Sequence, residues 1–518
     1  MNPSRRPLDL LPLAFPAIAL LTFGAWLRTT ISTADDYAFL MNGIDGNYQA
    51  YWLEGVRNGR LLYGIIQYLF LRLDSPQDFI FNRALGILFL SLFGWAAYTH
   101  LRRTESAFSA FAIALALMLL PGMTFSVVLS SIYFYPLAAV LSLPAAHLTM
   151  QATATQPLAR RSLPALLLAT LLLFVGMMIY QPYTLLFWAW IGYHLLRNIR
   201  DLRATRRVFL AALAVTMVAL GTAYIVMVGS QALLGVAGRT GLDLGGENPV
   251  IYLLKFVKPV IFALNFYLIR ESNIAVSLFS LGVILAGMLQ RLAGVPWRER
   301  ALQVAMLLAV PMVTMVPNIL TGSHYTPYRT QAGMAATFLL YLFLALKALL
   351  GRAASPRRRW AAKAATTVAL AAIALSMRQA HQDYLIRPIE TERALMSGEL
   401  ARLTEQTSRV DILLPDEGES LSPVFLFEFG RPVSFADYGA TKMARSVLIG
   451  QGIDADRLTI TGIPTDTPPP APDRLVIDMD GLIAENAVTD QVRTDKLTPA
   501  LGGLRDWFTD HDLLPAPQ

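Results

Sequence analysis

The chain has 518 residues, 55% hydrophobic and 15% charged, with a mean hydropathy of +0.47. Soluble domains carry about 25% charged residues, so most of this length is excluded as a soluble enzyme, and its apolar content excludes disorder. The chain contains no cysteine, which excludes a disulfide scaffold, thiolate catalysis and cysteine-ligated zinc.

The net charge of +7 is unevenly divided. Residues 380–518 hold 12 Lys+Arg and 23 Asp+Glu, leaving 31 and 13 for residues 1–379. The pattern predicts a basic, apolar membrane body over 1–379 and a soluble, acidic tail over 380–518. Membrane proteins collect Lys and Arg in cytoplasmic loops, so this basicity does not call for nucleic acid.

A membrane-crossing helix needs about 20 mostly apolar residues. Runs of this kind lie near 10–30, 79–100, 106–120, 128–149, 163–180, 182–198, 207–231, 272–290, 301–320, 330–350 and 361–378, which predicts about eleven spans. The first run, Leu8 to Leu27, is longer than the usual apolar core of a cleaved signal peptide, although Ser32-Thr33-Ala34 is a passable cleavage site. Basic residues recur in alternate loops: Arg5-Arg6, Arg102-Arg103, Arg160-Arg161, Arg197 to Arg207, Arg291 to Arg300 and Arg352 to Lys363. Alternation of this kind puts the N-terminus in the cytoplasm and, with an odd span count, the tail outside. In a bacterial inner membrane the outside is the periplasm.

Two outer loops are long, about 31–78 and 231–271. Leu61 to Leu73 and Ile251 to Ile269 are too short or too charged to span comfortably, and read as helices lying in the interface. Two further spans are the alternative. In the tail, a polar helical stretch over Arg387 to Thr407 precedes β-like runs at Val410–Leu414, Val424–Phe429, Leu458–Thr461 and Leu475–Asp478. A Pro-rich linker, Thr465 to Pro472, separates the last two. The tail therefore reads as a small α/β domain, without a phosphate loop or catalytic signature.

Acidic residues are scarce in the body, and nine of its 13 lie on the outer side: Asp35, Asp36, Asp45, Glu54, Asp74, Asp78, Asp243, Glu247 and Glu271. The pair Asp35-Asp36 follows the first span. A carboxylate at a cavity rim can take a proton from a hydroxyl as general base. The competing reading is a helix start, since Ser32, Thr33 and Asp35 are all N-cap residue types. Tyrosines also concentrate on the outer side, where 13 of 19 fall, and an aromatic face with a polar tip suits a sugar. Outer-side cations oppose the topological trend: Arg57, Arg60, Arg239, Lys255, Lys258 and Arg329. Phosphate is their natural ligand, with nearby acids or lipid headgroups as alternatives. Together these groups point to a sugar leaving a lipid phosphate for a hydroxyl.

The segment Ala34-Asp35-Asp36-Tyr37, followed by Tyr51-Trp52 and Asn58-Gly59-Arg60-Leu61-Leu62, resembles the first outer loop of the bacterial Gtr type-II glucosyltransferases. These belong to the GT-C superfamily of polytopic glycosyltransferases. Tyr180-Gln181-Pro182 resembles a short Tyr-Gln motif at an outer turn of such enzymes, and the likeness covers roughly residues 10–380. It implies a GT-C-like helical fold and an inverting transfer of hexose, glucose by resemblance, from undecaprenyl- or another polyprenyl-phosphate. The acceptor would be a cell-envelope glycan such as O-antigen of lipopolysaccharide, or a lipid. One of Asp35 and Asp36 would be the base. Arg329, Arg60, Lys258 and Arg57 would hold the donor phosphate. Tyr37, Trp52, Glu54, Tyr180, Gln181, His324 and Tyr328 would meet sugar or acceptor. Some superfamily members use a divalent cation near the acidic loop, but no metal-ligand cluster is legible here. A transporter or flippase of a lipid-linked sugar, an O-antigen polymerase or ligase, and a plain membrane anchor are the competing classes. The near absence of ionisable groups from span centres disfavours ion-coupled transport.

Overall fold

A computed structural model describes residues 11–71, 73–154, 162–238, 259–269, 274–320, 328–350, 356–415, 421–425, 432–464, 471–487 and 492–493. The first span, α1 (Leu11–Arg28), leads into three short helices, α2 (Ala34–Ile44), α3 (Gln49–Arg57) and α4 (Leu61–Phe70), and then into α5 (Asp78–Leu101). Ten residues at about 1.5 Å each make α4 roughly half as long as a bilayer's hydrocarbon layer. Tyr68, Leu69 and Phe70 are exposed on it.

Next come α6 (Ala107–Met118) and α7 (Pro121–Val128), bent by 59°. The bend has a local cause: Pro121 forces Leu120 into extended backbone (ψ 135) and opens a new helix at its first position. A short turn, Ser130–Ile132, precedes α8 (Pro136–Ala154), which is followed by α9 (Ser162–Thr184) and α10 (Leu186–Arg197). Tyr180 breaks α9 (φ −160, ψ 110), because Pro182 removes a helical N–H and crowds the carbonyl one turn earlier. Further helices of the body are α11 (Leu202–Leu234), α12 (Ile274–Arg291), α13 (Trp297–Val313), α14 (Val316–Leu320), α15 (Tyr328–Leu349) and α16 (Trp360–Leu400), and residues 259–265 are also helical.

Eight helices among the described residues are long and apolar enough to cross a membrane, and the bent α6–α7 pair makes nine. The protein is thus a multi-pass helical body, but length and composition do not reach the expected eleven. The two shortfalls are α10, with 12 residues, and α13, with 17. Yet α10 runs between the two ends of the bundle. Tyr180 and Gln181, just before it, line a cavity at one end, and His194 and Arg197, in its last turn, line a cavity at the other. The two ends are also joined by α11 and α15, which contribute residues to both cavities.

The last body helix runs 41 residues without a break, through a π-helical turn at Gln382–Ile386 and across the expected boundary at 379/380. His381 pins it to the bundle. Trp26 donates its indole N–H to His381 Nδ1 at 3.0 Å, and Thr124 Oγ1 lies 3.0 Å from Nε2. Beyond it the tail forms an α/β unit. Its parallel sheet has the order β3 (Thr459–Ile463), β1 (Arg409–Leu413), β4 (Arg474–Asp478). Val410 and Ile412 of the central strand are fully buried, and two short strands, Val424–Phe425 and Val492–Arg493, pair separately. Helix α17 (Asp437–Gly450) connects the turn after Pro432 to β3, and α18 (Met479–Asn486) follows β4. The strands fall at the β-like runs of the sequence, although the strand Val424–Phe425 is only two residues long among the described ones. The expected linker lies mostly outside the described residues.

The tail is docked on the body. Arg445 of α17 makes paired hydrogen bonds to Asp45 at 2.9 and 2.8 Å and a third to Asp456 at 2.6 Å. These carboxylates hold the Arg445 guanidinium pKa above its ordinary value. Arg393 donates to Thr30 Oγ1 at 3.2 Å, and Glu392 accepts the Val433 and Ser434 amides. Gly439 is required by close approach: a Cβ there would lie 2.9 Å from the Ala34 Cβ of α2.

Candidate active site

The first turn of α2 carries both Asp35 and Asp36, which therefore do start a helix. Successive helical side chains point about 100° apart, so the two carboxylates face different surroundings. Asp36 is fully buried. It accepts hydrogen bonds from Ser32 Oγ (2.5 Å), the Ser130 amide (2.6 Å) and the Ser131 amide (2.9 Å). Arg83 of α5 completes the arrangement by donating to Ser32 Oγ at 3.0 Å. Burial pushes the Asp36 carboxyl pKa upward, opposed by the Ser32 hydroxyl, Arg83 and the two amides. Asp36 thus joins the first loop to the turn before α8. Asp35 is exposed and lines a cavity of about 1340 Å³.

One wall of that cavity is polar. Glu54, Arg57 and Asn58 reach it from α3 and its end, Arg60 from the α3–α4 turn, Tyr135 from before α8, Tyr180 and Gln181 from the α9 kink, and Arg329 from the first turn of α15. The opposite wall is apolar and belongs to α11: Met217, Leu220, Ala223 and Met227, with Tyr224 among them.

Arg60 is held firmly. Its Nε donates to Gln181 Oε1 at 3.1 Å, Nη1 donates to Tyr135 Oη at 3.1 Å, and its guanidinium lies 4.8 Å from the Tyr180 ring centre. Tyr135 and Tyr180 stack with centres 3.9 Å apart. Arg60 Nη2 has no hydrogen-bond partner among the described residues. Gly59 places this arginine: its φ of +66° is left-handed backbone, and a Cβ there would strike Met227. Asn58 donates to Glu54 Oε1 at 2.8 Å. Buried Tyr63 has its hydroxyl pKa pushed up by burial, and it lies near enough to Tyr135, Arg60, Glu54 and Asp35 to feel their charges.

The structure therefore gathers Asp35, Glu54, Arg57, Arg60, Tyr180, Gln181 and Arg329 around one space. Tyr37 is buried edge-on against Phe79, with centres 6.0 Å apart, and does not line the cavity. Neither do half-buried Trp52 or buried Tyr328, whose ring packs against Phe262. His324 and Lys258 lie outside the described residues. No group of three or more His, Asp or Glu comes together to hold a metal among the described residues.

Sequence reasoning missed two contributors. Tyr135 carried a signal, as one of the clustered outer tyrosines. Tyr438 carried none: it stands in the acidic tail, yet it lines the cavity and donates its hydroxyl to Asp35 Oδ1 at 3.2 Å.

No family model and no curated protein matches the chain. Two solved structures of the Archaeoglobus fulgidus oligosaccharyltransferase are similar to it. The apo form is 13% identical, with a TM-score of 0.42, covering 76% of this chain and 58% of that one. The enzyme AglB, in complex with an inhibitory peptide and a dolichol-phosphate, is 11% identical, with a TM-score of 0.40 and the same coverage. The chain thus spans less than two thirds of the length of those proteins.

Proposed function

We propose that the protein is a membrane glycosyltransferase that moves a hexose from a polyprenyl-phosphate donor to a hydroxyl of a glycan or lipid acceptor. One observation carries the reading: an accessible carboxylate, Asp35, shares a cavity with three arginines and an apolar helix wall. A lipid-linked sugar phosphate needs all three. The α11 residues receive its hydrocarbon, Arg60, Arg57 and Arg329 neutralise its phosphate, Gln181 and Glu54 offer polar contacts to the sugar, and Tyr180 backs Arg60 from beneath.

In the transfer, the acceptor oxygen attacks the anomeric carbon as the bond from that carbon to the phosphate oxygen breaks. Asp35 takes the acceptor proton, and the arginines stabilise the departing polyprenyl phosphate. A single displacement inverts the anomeric centre. By the resemblance of the first loop to the Gtr type-II enzymes, glucose is the sugar, an O-antigen-type glycan the acceptor, and the periplasm the side of reaction. The basic loops of the sequence support that orientation.

The test is incubation of purified protein with radiolabelled polyprenyl-phosphate glucose and acceptor glycan. Label should move to the acceptor and free polyprenyl phosphate should accumulate. A transporter, flippase or anchor would leave the donor intact, and that result would remove the assignment.

A further inference from the structure

The second large cavity lies at the opposite end of the bundle, has a volume of about 1070 Å³, and is an open cleft lined by residues of α8, α10, α11, α12 and α15. Five cations line it: Arg197, Arg200, Arg207, Arg291 and Lys347. Two of them share one carboxylate. Buried Glu105 pairs with Arg197 at 3.1 Å and with Lys347 at 2.8 Å. The one carboxylate in the lining, Asp201, has Oδ1 engaged with the Ala204 amide at 2.9 Å, capping α11.

Two of the arginines make no ion pair with a carboxylate among the described residues, although Arg291 feels the charge of Glu105. Arg291 donates Nε and Nη2 to the Leu344 carbonyl at 3.3 and 3.2 Å, and Arg200 donates Nε to the Arg291 carbonyl at 3.2 Å. Carbonyl contacts orient a guanidinium without neutralising it. Like charges collected in a partly enclosed space repel, and a bound anion relieves the repulsion. Positive loops explain cations scattered on a membrane face. They do not explain cations from four separate segments turned into one cavity.

We infer that this cavity binds a phosphate-bearing anion, specifically the phosphodiester headgroup of an anionic membrane lipid. The position argues for a lipid. The cavity opens between the ends of long apolar helices, where headgroups lie and where basic pockets between helices take anionic lipids. Exposed apolar side chains on the same helices, Leu210 of α11 and Leu346 of α15, lie within one turn of the cavity-lining residues and offer a path for acyl chains.

The inference is independent of the glycosyltransferase reading, since it concerns the other end of the bundle and its readout is not turnover. The full chain would be placed in nanodiscs of phosphatidylcholine, with and without phosphatidylglycerol. Its thermal midpoint would be measured, and retained lipid identified by native mass spectrometry. Phosphatidylglycerol should raise the midpoint and remain bound. The double variant Arg200→Gln/Arg207→Gln should weaken lipid retention by roughly fivefold per charge, the equivalent of about 1 kcal/mol for each basic group. A charge-matched control in α11, Arg203→Gln/Arg206→Gln, lies outside the lining and should behave as the unmodified protein.

Equal retention by the two double variants, or no preference for phosphatidylglycerol, would overturn the inference. A full midpoint shift from inorganic phosphate in phosphatidylcholine discs would assign the site to a free anion and overturn the lipid assignment. If the pocket variant fails to fold, retention by the unmodified protein decides, because an absent headgroup preference there is equally fatal.

Discussion

The Tyr438 hydroxyl stands 3.2 Å from Asp35 Oδ1, although 403 residues separate the two. A hydroxyl at that distance fixes which way an exposed carboxylate turns, and it belongs to a helix of the tail. The proposed base is therefore oriented from outside the membrane body. Tyr438→Phe keeps the ring and removes the hydrogen bond, which is worth about 1 kcal/mol. It should lower kcat several-fold while leaving donor KM unchanged. A raised donor KM with normal kcat would instead make Tyr438 a donor contact.

The two aspartates should separate cleanly. Asp35→Asn should yield a folded, donor-binding protein that is about 10²–10⁴-fold slower, the usual effect of losing a general base. Asp36→Ala strands the buried Ser130 and Ser131 amides and leaves Arg83 without its carboxylate neighbour. It should cost about 3–5 kcal/mol of stability and be visible in thermal unfolding before any assay. Normal turnover in Asp35→Asn would remove Asp35 from the chemistry.

Arg60 is fastened through Nε, Nη1 and its guanidinium face, so its geometry matters as well as its charge. Lys cannot reproduce a planar fork stacked on tyrosine. Arg60→Lys should therefore resemble Arg60→Ala in donor binding, with a loss of about 2–5 kcal/mol for a desolvated phosphate contact. Full activity in Arg60→Lys would show that charge alone suffices.

The Arg445–Asp45 pair ties tail to body at the surface. A double-mutant cycle with Arg445→Ala and Asp45→Ala should give a coupling of about 0.5–1 kcal/mol, and less at high salt. Zero coupling would mean that apolar packing around Gly439 and Ala34 docks the tail unaided.

Reporter fusions test orientation. Fusions after residues 155, 203 and 358 should read cytoplasmic, and fusions after 240 and 400 periplasmic. Two reversed readings would invert the topology.

Much of this was legible in the chain because it follows local rules. Hydrophobic runs gave the long helices, and the β-like run Val410–Leu414 lies within a residue of the observed strand Arg409–Leu413. The break at Tyr180 follows from Pro182. The short α10 falls below the length of a comfortable crossing, and it is apolar all round because the bundle surrounds it. The pair Asp35-Asp36 was visible, but the division between them depends on Ser130 and Ser131, 94 and 95 residues away. Tyr438 and Glu105 act through partners brought together only by the finished fold, and no spacing in a linear chain announces them.

The unbroken helix Trp360–Leu400 gives the tail a helical phase. A flexible tether would let the tail find its seat from any direction; a continuous helix dictates the angle at which it arrives. One residue inserted at Gln382–Ile386 would turn everything beyond it by about 100°, swinging Tyr438 away from Asp35. Seven inserted residues would nearly restore the angle, at about 3.6 per turn, yet lift the tail by roughly 10 Å. Register along this one helix thus ties the proposed chemistry to a rotation measured in residues, and the length of the segment is constrained even where its composition is not.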